Sequence, residues 1–275
     1  MKRRQCLQAL TVGGTLLASG VVQAAHHRRI ERVGLQLFTV RDRMARDVPG
    51  TLAAVAAIGY REVETAGTGD LSPQAFAAAL TDAGLTAPAA HIPINALVEQ
   101  PEAVLEAAEI IGYAYLVVPW LPPEMRTAEG YGRTIDALNR FGERSARVGI
   151  QTAYHNHDFE FTGKIGAAGI TPYDLMLQHC DPALVKFELD LFWAAHAGAD
   201  AAAYLRGDPT RFPMCHVKDR SADGQMTDVG AGTLPFAELF AAGSGLRHYF
   251  VEHDRPQDSL ASVAASYAAV STLRF

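Results

Sequence analysis

The chain has 275 residues, of which 49% are hydrophobic, and its 24 basic and 30 acidic side chains give a formal charge of −6. This length can bury a sizeable core in one large domain or two small ones. Its three cysteines are too few for a disulfide scaffold, and the acidic balance argues against a nucleic-acid protein, which would need a basic face.

The first 24 residues have the pattern of a secretory signal. Residues 2–4 are basic, residues 7–22 are largely apolar, and Ala24 offers the small side chain that signal peptidase prefers. The string RRQCLQ resembles the twin-arginine signature, so we expect export to the periplasm and cleavage after Ala24. A retained membrane anchor is the alternative, but this apolar stretch is shorter than the roughly 20 residues that span a bilayer.

Cleavage would leave residues 25–275 as the mature domain. It removes three basic residues and no acidic ones, so 21 basic against 30 acidic side chains give a mature charge of −9. The later sequence has no stretch long and apolar enough to anchor it in a membrane. The oligomeric state is left open.

Eight short apolar or β-branched runs recur along the mature chain, each followed by a helical pattern. They predict strands at Val33–Phe38, Glu62–Glu64, Thr86–His91, Tyr115–Trp120, Thr152–His155, Val185–Asp190, Met214–Val217 and Tyr249–Glu252. Polar or unusual residues near the strand ends run from Gln36 to Glu252, which is 216 positions in seven steps, or about 31 residues for each βαβ unit. Eight such units predict an α/β fold, a single (β/α)8 TIM barrel. A doubly wound sheet is the alternative, but no GxGxxG motif follows the first strand.

The last four predicted strands end in side chains that commonly bind metals, namely His155, Asp190, His216 and Glu252. A barrel brings the carboxyl ends of its strands around one axis, so we expect these four side chains to converge. Two imidazoles and two carboxylates suit one divalent ion, Mn²⁺, Zn²⁺ or Fe²⁺, without choosing among them. Each residue taken alone is better interpreted as a hydrogen-bonded core or rim residue, but four such residues in register at predicted strand ends are hard to produce by chance.

Further candidates near the same strand ends could position hydroxyl groups, move protons or form an apolar wall against a sugar; they are Glu64, His91, Trp120, His157, Glu160, Trp193 and Lys218. A supporting or surface role for Glu160, a salt bridge for Lys218 and core packing for the tryptophans are equally good interpretations.

Two other features give weaker expectations. The glycine-rich run at Val229–Gly232 is interpreted as a plain turn, because no Lys or Arg lies beside it, so no phosphate site is predicted. An exported compartment would permit a disulfide between Cys180 and Cys215. Because nothing in the sequence places these two residues together, two free thiols are favoured.

Several strings resemble the xylose-isomerase-like barrel superfamily, often labelled sugar phosphate isomerase/epimerase; they are GLQLFTVRD, IGYREVE, YHNHDFEF, ELDLFW, HVKD, VGAGTLPF and YFVEHD, spread from about residue 33 to residue 254. The resemblance implies a single divalent metal at the ends of the fifth to eighth strands, which maps onto His155, Asp190, His216 and Glu252. Exported, twin-arginine-tagged members of the superfamily agree with the predicted signal.

The chain departs from this superfamily at two positions. Ketose epimerases that it resembles carry Glu at the fifth strand end, opposed to the eighth-strand Glu as a second acid/base, whereas this chain has His155. Trp193 replaces the histidine of their D-x-x-H motif. Symmetric epimerisation by two carboxylates is therefore disfavoured, and the YHNH string is similar to members acting on 3-keto sugars or glycosides.

The resulting hypothesis is a metal-dependent sugar isomerase or epimerase that works through an enediolate stabilised by the metal. Glu252 or His157 would abstract the proton and Lys218 would support the developing negative charge, with substrate contacts from Glu64, His91, Trp120, Glu160 and Trp193. A lyase or hydratase acting on 3-keto sugars begins with the same abstraction and is the first alternative. A periplasmic sugar-binding barrel without catalysis is the second, and an abasic-site endonuclease, which needs three metals, is the least favoured.

Overall fold

The computed structural model describes residues 28–167 and 169–275. Residues 1–24, on which the predicted export signal falls, lie outside the described residues, so export and cleavage stay predictions. Within the described ranges, eight parallel strands close into one barrel in the order β1-β10-β7-β6-β5-β4-β3-β2, which confirms the predicted (β/α)8 TIM barrel. The barrel strands are β1 (Gly34–Gln36), β2 (Glu62–Thr65), β3 (Thr86–His91), β4 (Tyr115–Val118), β5 (Gln151–His155), β6 (Val185–Asp190), β7 (Met214–Val217) and β10 (His248–Val251), and the strands β8 (Asp219–Arg220) and β9 (Met226–Thr227) form a small antiparallel hairpin after β7.

Helices alternate with the barrel strands, and local sequence signals mark many of their ends. Ser72 and Thr171 each accept a backbone N–H at the start of a helix whose first residue is proline. Within the described residues, no helix combines the length and the apolar character needed to cross a membrane. The helices are α1 (Arg41–Met44), α2 (Val48–Ile58), α3 (Pro73–Ala83), α4 (Ile94–Glu99), α5 (Pro101–Ile111), α6 (Ala128–Arg147), α7 (Phe159–Thr162), α8 (Pro172–His179), α9 (Leu191–His196), α10 (Ala201–Gly207), α11 (Phe236–Ala242) and α12 (Ser259–Thr272).

Two strands are shorter than predicted, and side-chain chemistry explains both differences. β1 stops at Gln36 because the side-chain oxygen of Gln36 accepts the backbone N–H of Phe38 at 2.9 Å and starts a 3-10 turn. β4 stops at Val118, before Pro119, which has no N–H to continue the ladder. Phe38 therefore lies in the 3-10 turn and Trp120 lies on a loop, and the two side chains are exposed by 41% and 43%.

The middle of the barrel interior is filled with apolar side chains. The buried cluster consists of Ala89, Val117, Ala153, Met214 and Phe250, which come from five different strands. In the neighbouring strand, a Cβ on Gly34 would lie 2.5 Å from Phe250 Cδ1, so the chain needs glycine there to make room for that ring. The barrel is thus a packed core, and polar side chains at its carboxyl end rest on an apolar floor.

Candidate functional site

The four side chains predicted to hold a metal come together at the carboxyl end of the barrel. One ligand atom from each of His155, Asp190, His216 and Glu252 lies within 4.8 Å of the others, and all four residues are buried. His155 Nε2 is 3.2 Å from Asp190 Oδ2, and His216 Nδ1 is 2.7 Å from Glu252 Oε2. Two imidazole nitrogens and two carboxylates that converge in this way fit a divalent ion.

Asp190 and His155 are held in position by groups outside this set. Asp190 ends β6 and caps α9, because its Oδ1 accepts the backbone N–H of Trp193 at 2.9 Å. The backbone N–H of Asp190 donates to Asn156 Oδ1 at 3.0 Å, and His155 Nδ1 lies 3.1 Å from the carbonyl oxygen of Pro119. A proton on His155 Nδ1 leaves Nε2 as the free donor for a metal.

Lys218 lies inside the site. Its Nζ is 3.0 Å from Asp190 Oδ2, 2.7 Å from Glu252 Oε2 and 2.8 Å from Asp254 Oδ1, and the side chain is 2% exposed. Burial would lower the pKa of Lys218, but these carboxylates raise it well above its usual value. Burial in turn would raise the pKa of Asp190, but Lys218 and His155 lower it to about 2. Lys218 is therefore charged and Asp190 is ionised.

Glu64 and His91 contact His216 from its other side, together with a carboxylate that the sequence analysis missed. His216 Nε2 is 2.6 Å from Glu64 Oε2 and 3.0 Å from Glu188 Oε2. His91 Nε2 is 3.2 Å and 3.1 Å from the same two oxygens. Burial would lower the pKa of His91, but Glu64 and Glu188 raise it to about 9. Glu188 precedes Asp190 by two positions in β6, so strand alternation was the signal that could have identified it.

His157 and Trp193 form an aromatic wall beside the four candidate ligands. The His157 ring lies 5.0 Å from the ring of His155, 5.4 Å from Trp193 and 5.7 Å from Phe159, between ring centroids. Across the described ranges, His157 Nδ1 and Trp193 Nε1 are buried and have no hydrogen-bond partner. Burial lowers the pKa of His157 well below its usual value, so the ring is neutral. These two atoms are available to a ligand.

Trp120 and Glu160 have surroundings that differ from those of the candidate ligands. The Trp120 ring, on the loop after β4, has the Arg126 guanidinium 4.9 Å from its centroid. Glu160 is fully buried; it accepts the Tyr154 hydroxyl at 2.5 Å and the backbone N–H of His157 at 2.8 Å. Burial raises the pKa of Glu160 to about 7. Its two oxygens thus connect β5 to the loop that follows it, which supports a positioning role.

The glycine-rich run after the hairpin is bound by a side chain of the same chain. Asp219 Oδ2 accepts the backbone N–H groups of Gly230 and Gly232 at 2.9 and 3.1 Å, and Asp219 Oδ1 accepts that of Leu234 at 3.1 Å. Asp219 thus takes the backbone donors that an external anion would use.

The two remaining cysteines are structural. Cys180 and Cys215 are both buried, and in the described part of the chain both are free thiols, as the sequence favoured. Burial raises the pKa of the Cys180 thiol to about 12, so it stays protonated and unreactive at neutral pH.

Known proteins match this chain in sequence and in fold. The profile of the xylose isomerase-like TIM barrel family matches residues 52–243. Inosose dehydratase from Mesomycoplasma hyopneumoniae (strain 7448) is 28% identical over 112 residues, which are 41% of this chain and 35% of that protein. The shared segment therefore spans well under half of that relative.

Solved structures show the same fold over nearly the whole described chain. A sugar phosphate isomerase/epimerase from Parabacteroides distasonis ATCC 8503 superposes with a TM-score of 0.78 and 23% identity, covering 89% of this chain and 96% of that one. The IolI protein, solved with a bound zinc atom, has a TM-score of 0.66 and 13% identity, covering 86% and 96%. The family profile spans most of the chain, and the chain belongs to the xylose isomerase-like TIM barrel family.

Proposed function

We propose that the protein is a divalent-metal-dependent sugar isomerase or epimerase that removes a proton from the carbon next to a carbonyl. The observation that carries the proposal is the convergence of His155, Asp190, His216 and Glu252 beside the buried ammonium of Lys218. A bound divalent ion would supply Lewis acidity to neighbouring carbonyl and hydroxyl oxygens of a sugar. Enzymes of the matching family act on such substrates, and the specific reaction belongs to the proposal.

His157 suits the role of base better than Glu252 does. The Glu252 carboxylate contacts Lys218 and His216, and although burial would raise its pKa, these two groups hold it well below its usual value. A carboxylate held in this way is occupied by its two partners and is a good metal ligand. Burial also lowers the pKa of His157, so contacts rather than basicity separate the two candidates: His157 is neutral, and its Nδ1 finds no hydrogen-bond partner within the described chain and is free to meet a substrate proton.

One base on one face of the sugar favours isomerisation. His157 would take the proton from one carbon and return it to the adjacent carbon on the same face, whereas epimerisation needs a second acid on the opposite face. Lys218 would stabilise negative charge on the substrate oxygens, and Trp193 Nε1 would donate to a hydroxyl group. Because Asp219 already binds the donors of the glycine-rich run, the proposed substrate is an unphosphorylated sugar.

A lyase is the second candidate, and the partial match to a dehydratase favours it. After the same proton abstraction, the protonated His157 would donate to a departing hydroxyl or alkoxide on the next carbon instead of returning the proton. The two reactions differ in whether a carbon–oxygen bond breaks.

The test is to incubate the Mn²⁺-loaded protein in D₂O with a free ketose and, separately, with a 3-keto-glucoside, following both by NMR. We expect an isomeric product with deuterium at the reacting carbons of the ketose. His157→Ala should slow exchange by about 10²–10⁴-fold, the usual contribution of an acid/base group. His179→Ala, a change at an exposed histidine, is the matched control. Turnover of the 3-keto-glucoside alone, with release of its aglycone, would replace the isomerase by the lyase.

A further inference from the structure

The structure holds a second set of metal-binding side chains, next to the first. Glu64, His91, Glu188 and His216 come from β2, β3, β6 and β7, and one ligand atom from each lies within 4.8 Å of the others. Glu64, Glu188 and His216 are fully buried, and the His91 side chain is 11% exposed. His216 belongs to both sets.

The distances within this second set are close to those of a metal site. Its nitrogen–oxygen contacts to His216 and His91 run from 2.6 to 3.2 Å. Ligands about 2.0–2.2 Å from a tetrahedral ion lie about 3.3–3.6 Å apart. These contacts therefore need to open by about 0.1 to 1 Å to accept an ion.

Two buried carboxylate oxygens of this second set have no hydrogen-bond partner within the described residues. Glu64 Oε2 is approached by Gln36 Nε2 at 2.7 Å as well as by both imidazoles, while the other oxygen, Oε1, has no partner among the described residues. Glu188 Oε1 is equally buried and equally without a partner in the described chain. Fully buried carboxylate oxygens are costly to leave unsatisfied, and two of them in one cluster point to a bound cation.

The charge balance points the same way. Within the described residues, the combined cluster has five carboxylates and one ammonium, a net of four negative charges before the imidazoles are counted; these groups are Glu64, Glu188, Asp190, Glu252, Asp254 and Lys218. In the metal-free protein, a proton on His91 offsets one of these charges, because the neighbouring carboxylates raise the pKa of His91 to about 9. Two divalent ions would take the place of that proton and offset all four charges, which leaves only the charge of a deprotonated His216 ring.

The two nitrogens of His216 face different sets. Nδ1 is 2.7 Å from Glu252 Oε2 and 3.8 Å from Asp190 Oδ2, whereas Nε2 is 2.6 Å from Glu64 Oε2 and 3.0 Å from Glu188 Oε2. We propose that Glu64, His91 and Glu188 form a second divalent-metal site with His216, whose imidazole bridges the two ions through its two nitrogens. Binding of the second ion releases the remaining ring proton of His216 to solvent. The inference rests on the first site of the proposed function but not on the reaction.

The test counts ions. Metal-free protein is dialysed to equilibrium against Mn²⁺, its metal content is measured by mass spectrometry, and the EPR spectrum is recorded. We expect two ions per chain in the wild type, with a spectrum broadened by interaction between them. Glu188→Gln and Glu64→Gln, on different strands, should each bind one ion and show the six-line spectrum of isolated Mn²⁺.

The matched control is Glu62→Gln, which changes a buried carboxylate on the same strand as Glu64 and should keep two ions. One ion per chain in the wild type, or two ions in both glutamine variants, would overturn the second site. Two ions without mutual broadening would overturn the bridge. Asp190→Asn tests the first site separately: if it binds as many ions as the wild type, the proposed function loses its metal centre, whatever the Glu188 result.

Discussion

The two ends of the barrel interior carry similar residue types in very different states. At the amino end, Glu62 Oε2 accepts His248 Nδ1 at 2.9 Å, and Glu62 Oε1 lies 3.4 Å from Arg32 Nε, so this carboxylate has partners on both oxygens. At the carboxyl end, Glu64 follows two positions later on the same strand and keeps one oxygen without a partner in the described chain. The apolar floor separates the two ends. Carboxylates with hydrogen-bond partners on both oxygens mark the structural end, and excess negative charge marks the end at which the metal sites are proposed.

The largest expected effect on the free energy of unfolding comes from removing the Lys218 ammonium, which lies among the candidate ligands. Lys218→Met leaves Asp190, Glu252 and Asp254 without their common partner, so we expect the metal-free protein to lose about 3–5 kcal/mol of unfolding free energy. Urea denaturation in the presence of a chelator measures it. Lys186→Met, a change at a half-buried lysine on β6, should cost less than about 1 kcal/mol. Equal losses in the two variants would remove the contrast between the ends.

The next effect is a pH dependence at the loop after β5. Because burial raises the pKa of Glu160 to about 7, the folded state favours its protonated form. This contribution is fully present below the unfolded pKa, about 4.5, and is lost as the pH rises through about 7. The stability of the wild type relative to Glu160→Gln should therefore fall by up to about 3 kcal/mol over that window. Urea titrations of both proteins at several pH values measure it, and a constant difference would contradict it.

A smaller effect is expected in the apolar floor. Gly34→Ala places a methyl group 2.5 Å from Phe250 Cδ1, and this overpacking should cost about 1–3 kcal/mol without changing metal binding. Thermal unfolding and Mn²⁺ titration check the two parts. Adding Phe250→Leu should restore part of the loss, and a metal affinity that falls along with stability would show that the floor and the site are coupled.

The smallest effect is expected at the amino end. Glu62→Gln keeps an acceptor for His248 and loses only a charge that is partly solvated through Arg32, so the change in stability should be about 1 kcal/mol or less. Chemical denaturation provides the measurement. A loss as large as that of Lys218→Met would mean that the amino end also depends on buried charge.

The sequence predicted the barrel and the convergence of four side chains because strand spacing fixes both. Every predicted strand is present, since each is a short apolar run between helical patterns. The spacing could not locate Asn156 or Asp254, which lie just beyond strand ends, because loop conformation rather than alternation sets their direction. It also left open whether Lys218 and Glu160 face the site, which depends on partners far away in the sequence.

Glu188 shows a different limit. Strands of a parallel barrel are covered on both faces, so hydrophobicity gives little information on which residues point inward. Only after Asp190 had been assigned to the interior did the two-residue alternation also place Glu188 there.

The glycine-rich loop held by Asp219 has a consequence for selectivity. The Asp219 carboxylate and the backbone N–H groups that it binds belong to the same chain. Its effective concentration at these N–H groups is therefore in the millimolar range or above, independent of the anions in solution. A phosphorylated sugar would have to displace this intramolecular competitor before it could use the loop. A side chain assigned no part in the reaction thus competes with anions for the backbone donors of this loop, and it supports the proposal that the substrate is an unphosphorylated sugar.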